Sequence, residues 1–171
     1  MDVVVVSARL VHIVCGVFWA GTLMFAPLFL QPSIRDAGPE GGKVLVAMLR
    51  RRFFDIMPVV AALTLLSGMW LYWRSSAGLS RAYVHSGSGI AFGLGGIAAL
   101  VAFAIGVLVL RPATLRAAGL AQSLAQMAAG PEKDAANKEL DALRSRMALG
   151  GRAVGAFLAL SVMGMAVGRY V

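Results

Sequence analysis

Two histidines, His12 and His85, carry the placement in this sequence that comes nearest to a chemical site. His12 follows Arg9 by three positions and His85 follows Arg81 by four. If each pair opens a helix running inward from the headgroup level, both imidazoles lie roughly 5 Å below the arginines, at 1.5 Å of rise per residue. They would be level. Gly16 and Gly89 follow the histidines by four positions, so each glycine falls one turn beneath its ring on the same helix face. Two imidazoles over two flat surfaces, on facing helices in an apolar shell, are what bis-histidine ligation of haem b requires. Arg9 and Arg81 would then stand where the propionates belong. The competing reading makes both histidines interfacial residues, bonded to headgroups or backbone carbonyls. Cys15, Met69, Met163 and Met165 add soft donors in the same half of the chain's spans, a set suited to Cu(I). Taken singly, each of these methionines is better read as a filler of core gaps.

Other chemistries lack their residues. The apolar stretches hold no Asp, Glu, Lys or Arg, which removes carboxylate-bridged iron sites, paired acids and the ionisable groups of ion-coupled transporters. Ser7, Ser67, Ser86, Ser88 and Ser161 have no nucleophile-elbow context. Gly87-Ser88-Gly89 and Gly93-Leu94-Gly95-Gly96 lack the lysine and preceding strand of a phosphate loop. One cysteine excludes an internal disulfide and a multi-cysteine metal site.

The elements that must position these residues follow from hydropathy. Of 171 residues, 59% are apolar and 14% charged, against about 45 to 50% and about 25% in soluble domains, so lipid is needed to cover the excess. Uncharged runs cover residues 10–34, 56–73, 82–110 and 153–168. The first three are long enough to cross a bilayer. The fourth is short, and Arg152 and Arg169 at its ends can extend it by reaching for the headgroups. The first run is not a signal peptide, since Met1-Asp2 is no basic leader and no cleavage site precedes a polar chain. The expected fold is all-α, an antiparallel four-helix membrane bundle with cytoplasmic helical extensions forming a single domain.

Charge sets the orientation. Arg35, Lys43, Arg50, Arg51 and Arg52 lie in the first connection, and Arg111, Arg116, Lys133, Lys138, Arg144, Arg146 and Arg152 in the third. Only Arg9, Arg74, Arg81 and Arg169 lie on the other side. Both termini and the 74–81 turn therefore belong outside the cytoplasm, in the inner membrane of the cell. Trp70, Tyr72, Trp73, Tyr83 and Tyr170 would form the outer aromatic belt. The net charge of +8 reads as attraction to anionic lipid, and nucleic acid is not expected as a partner.

On the inner side, Val44, Leu45, Met48 and Leu49 recur at helical spacing beside Arg50-Arg51-Arg52, which predicts an amphipathic helix leading into span two, with Pro58 as a kink. Residues 111–152 should fold back as a helical hairpin turning at Gly130-Pro131, with Leu140, Leu143 and Met147 on one face. Gly89-xxx-Gly93, Ala98-xxx-Ala102-xxx-Gly106 and Gly151-xxx-Gly155-xxx-Ala159 let backbones approach, either inside the bundle or at a dimer face.

Span one, Arg9-Leu-Val-His-Ile-Val-Cys-Gly-Val-Phe-Trp-Ala-Gly21, with Leu65-Leu-Ser-Gly-Met-Trp-Leu-Tyr-Trp73, resembles a group of small bacterial membrane proteins. It comprises the copper-resistance D-like domains, the membrane protoporphyrinogen oxidases and related four-helix families. The shared pattern is a histidine followed by Trp-x-Gly, here His12, Trp19 and Gly21. The resemblance implies that His12 is an axial haem ligand. It covers about the first 75 residues. The chain lacks the intramembrane lysine of the porphyrinogen oxidases and has half the spans of full copper-resistance D proteins. The function expected first is a b-type haem protein in electron transfer; its rival is a cofactor-free structural or accessory subunit docking a membrane protein or a second copy of itself, and copper handling comes third.

Overall fold

The computed structural model describes residues 2–171, without the side chains of Pro39 and Leu45. All regular structure among them is helical: α1 (Val3–Asp36), α2 (Pro39–Arg50), α3 (Phe53–Ser75), the short α4 (Arg81–Val84), α5 (Gly87–Leu124) and α6 (Pro131–Val167). Four of these, α1, α3, α5 and α6, are long and apolar enough to cross a membrane. Each packs on two neighbours. α1 lies against α3 and α6, and α5 lies against α3 and α6, so α1 and α5 stand across the bundle from one another.

Helix ends follow local chemistry. Asp2 caps α1 by accepting from Val4 N–H, and Ser86 caps α5 by accepting from Gly89 N–H. Pro39 and Pro131 occupy first-turn positions, where a missing N–H costs nothing. Arg52, at φ 55°, breaks α2 from α3, so the amphipathic segment is a separate helix and does not run on into span two.

Prolines also act inside two helices. Pro32 and Pro112 cannot donate, and their rings would collide with the carbonyls of Leu28 and Leu108. In both places the preceding turn widens to a π turn, Ala26–Leu30 and Gly106–Leu110. Gln31 N–H then bonds Ala26 O, and Arg111 N–H bonds Gly106 O. The helix continues past each proline.

Packing depends on small residues. Gly95 and Gly164 bring α5 and α6 so close that a Cβ on Gly164 would lie 2.8 Å from Ala91 O and 3.2 Å from Gly95 Cα. Below that contact, Ala99, Ala102, Val154 and Leu158 are buried with Trp19, Ala20 and Ala61 in the core. On α6, Gly151 and Gly155 seat Pro27 of α1, so this small-residue stripe is used within the bundle.

The hairpin exists as the sequence predicts, and it has its own core. Ala113, Ala117, Leu124, Ala136, Leu140 and Leu143 pack together, with Met147 half-buried beside them. Thr114 Oγ1 donates to Leu110 O at 2.8 Å, and Arg111 pairs with Asp55 at 3.0 Å, tying α5 to α3. The short fourth uncharged run is the far half of α6, 37 residues without a break, continuous with the helical extension before it, because Arg152 ends an uncharged run but not a helix.

The Gly95–Gly164 contact sets a steric limit that can be measured. Gly164→Val should lower unfolding stability in detergent by about 1–3 kcal/mol, the usual cost of overpacking. Gly96→Ala, with open space around the added carbon, should leave it unchanged or slightly raised.

Candidate functional site

His12 is half-buried, and its ring faces α3 rather than α5. Nδ1 lies 2.8 Å from Thr64 O. Thr64 Oγ1 turns back to donate to Val60 O, and Ser67 Oγ donates to Leu63 O and Thr64 O. Gly68, one turn after Thr64, leaves the space the imidazole fills: a Cβ there would come within 2.6 Å of His12 Cε1. Gly16 faces the same helix, 3.4 Å from Thr64 Cγ2 when a Cβ is added. His12, Gly16, Thr64 and Gly68 therefore form one seam between α1 and α3.

His85 lies elsewhere and in a different kind of environment. The helix expected over residues 82–110 is interrupted: α4 ends at Val84, His85 caps it, and Ser86 starts α5. His85 is exposed, and its Nδ1 bonds Arg81 O at 2.8 Å, within its own turn. Gly89 is consequently not a flat surface beneath the ring. It is buried under the carbonyl of Tyr83, so close that no Cβ could fit. The physical reason is the Ser86-Gly87-Ser88-Gly89 run. A serine cap followed by small residues starts a new helix where hydropathy alone predicts an unbroken one.

The arrangement expected for haem b between spans one and three is thus not formed by His12, His85, Gly16 and Gly89. The two glycines serve different contacts, and α1 and α5 are diagonal. Arg9 and Arg81 are exposed, and neither forms an ion pair among the described residues. Of the soft donors, Cys15 is half-buried, Met69 and Met163 are more than half exposed, and the Met165 methyl packs on Gly95 as a gap-filler. No group of three or more His, Cys, Asp or Glu suited to a metal occurs among the described residues.

Tyr72, one of the aromatic residues grouped with Tyr83 in the sequence, turns toward the start of α5. Its hydroxyl donates to Gly89 O at 3.0 Å, and its ring meets Tyr83 edge to face at 5.9 Å. Trp70 and Trp73 line a shallow groove with Arg74, above a turn in which Ala77, Gly78 and Leu79 all have positive φ. Ser76 holds that turn: fully buried, it donates to Trp73 O and accepts from Leu79 N–H.

The residues missed by sequence reasoning are Thr64 and Gly68. In the sequence Gly68 is only the end of Leu65-Leu-Ser-Gly, and nothing in that string points to a histidine 56 positions earlier. No protein-family profile, no curated protein and no solved structure matches this chain.

The two histidines should separate cleanly in stability. His12→Ala removes an inter-helix bond and leaves a gap over Gly68, and should cost about 1–2 kcal/mol in detergent unfolding. His85→Ala, on an exposed turn, should stay within about 0.5 kcal/mol. Equal effects would remove the bracing role from His12.

Proposed function

We propose that the chain is a four-span, antiparallel membrane protein of the bacterial inner membrane that works as an accessory subunit, with both termini outside and the hairpin in the cytoplasm. The observation that carries this reading is the hairpin. α5 and α6 continue beyond their apolar stretches as paired rods with a separate core, while Glu132, Lys138, Asp141, Arg144 and Arg146 remain exposed on the outside. Such an arm is ordered without a partner and offers charge to one. The partner is a larger membrane protein.

A haem reading has one specific observation in its favour and stands second. In His12 the bonded nitrogen is Nδ1, which leaves Nε2 as the acceptor, the arrangement usual in a metal-bound imidazole. Such a site would rest on His12 alone, since His85 belongs to another turn. Bound haem would supply one-electron chemistry, and this chain would contribute the axial nitrogen and an apolar wall.

The absorbance spectrum of protein purified from membranes decides between them. The accessory reading expects no Soret band at stoichiometric intensity. A band that His12→Ala abolishes and His85→Ala leaves intact would establish the single-ligand haem site instead.

Topology is tested separately. In a Cys15→Ala background, single cysteines at Ser80 and Ala128, both exposed, should be labelled by an impermeant thiol reagent from opposite sides of the membrane. Labelling of both from one side would overturn the assignment.

A further inference from the structure

We infer that a small basic recess between α1 and α6 binds the phosphate of an anionic phospholipid. The inference rests on the membrane reading above. Pro27, Gln31, Pro32, Arg35, Ala148 and Arg152 line a cavity of about 50 Å³ at the ends of the apolar stretches of both helices. Its polar side chains are two guanidinium groups and one amide, from two different helices. No carboxylate lines it.

Three of the basic side chains are paired with carboxylates among the described residues. Arg111 meets Asp55, Arg144 meets Asp141 and Lys43 meets Glu40. Arg35 and Arg152 form no ion pair among the described residues, although they share one recess. Two guanidinium groups facing one exposed recess leave their like charges unneutralised, and an anion with oxygens in a plane or tetrahedron relieves this by accepting from both forks.

The walls are built by features already described. The π turn Ala26–Leu30, with Pro27 inside it and Pro32 just after it, forms a backbone that cannot donate at positions 27 and 32. Gln31 lies over Gly151 of α6, its amide nitrogen 3.6 Å from where a Cβ would stand, so the amide sits at the junction of the two helices. The recess is small, so it suits a single phosphate and excludes a nucleotide or a peptide. Its depth, at the junction of apolar span and basic connection, is that of a lipid headgroup. A phospholipid is therefore the source of the phosphate, and its acyl chains would run along the exposed apolar faces of Leu28 and Phe29.

The test uses full-length protein in a neutral detergent, with thermal unfolding followed by tryptophan fluorescence. Short-chain phosphatidylglycerol should raise the midpoint saturably, and short-chain phosphatidylcholine should need about tenfold higher concentration, a difference of about 1.4 kcal/mol. Combining Arg35→Gln with Arg152→Gln should weaken the phosphatidylglycerol response about tenfold or more. Arg144→Gln, outside the recess, should leave it unchanged. Should the double variant fail to fold, Arg152→Lys serves in its place: it keeps the charge, loses the fork and should bind several-fold more weakly.

Equal responses to the two lipids, or an unchanged response in the variants, would overturn the site. Stabilisation by inorganic phosphate without any by phosphatidylglycerol would overturn the lipid as occupant. Alkaline carbonate extraction of native membranes reports on the membrane reading independently: release of the protein into the supernatant would reject that reading, whatever the lipid titration gives.

Discussion

The contact on which the bundle depends is the approach of two backbones at Gly95 and Gly164. If the four helices lie in lipid, as proposed, there is little hydrophobic drive between them, because acyl chains solvate leucine as well as another helix does. Association would then rest on van der Waals contact, which falls away steeply with distance. At this point α5 and α6 touch through hydrogen-sized surfaces, and Ala99, Ala102, Val154 and Leu158 close the interface below. Larger residues sit where the distance allows them: Trp19 fills the centre, and most leucines and valines of the spans face outward.

Polar groups in the spans are used as seams between helices. His12 meets Thr64 O, and Tyr72 meets Gly89 O, each a side-chain group reaching a backbone carbonyl on a neighbouring helix. Both carbonyls are beside glycines, where the helix surface is lowest. Thr64, Ser67 and Thr114 turn their hydroxyls back onto carbonyls one turn earlier, so they need nothing from outside their own helix. Among the described residues no buried side-chain nitrogen or oxygen lacks a partner. This is the condition a bundle in hydrocarbon has to meet.

The four long apolar helices were legible from the uncharged runs each of them contains, although α5 and α6 continue well past the ends of theirs. The hairpin was legible for a similar reason: Leu140, Leu143 and Met147 repeat at helical spacing, and Gly130-Pro131 marks the turn. The candidate site was less so. Hydropathy sees residues 82–110 as one run, and it does not register that Ser86 can cap a helix and so rotate His85 away from everything that follows. Nor does spacing reveal which face of α1 meets which neighbour. That is decided by glycines at 68, 151 and 155, on helices far away in sequence, and His12 follows the groove that Gly68 leaves.

The uninterrupted α6 has a mechanical consequence. At 37 residues it is a strut about 55 Å long, reaching from the hairpin turn to the opposite end of the bundle. It has no proline after its first residue and no widened turn, unlike α1 and α5, and its one glycine pair, Gly150-Gly151, is buried against Leu110 and Pro27. Torque applied near Glu132 is carried to Met165 by the same backbone ladder. Since Gly164 locks that end to α5, the load is shared by two rods in contact, and a pull on the hairpin tilts both together.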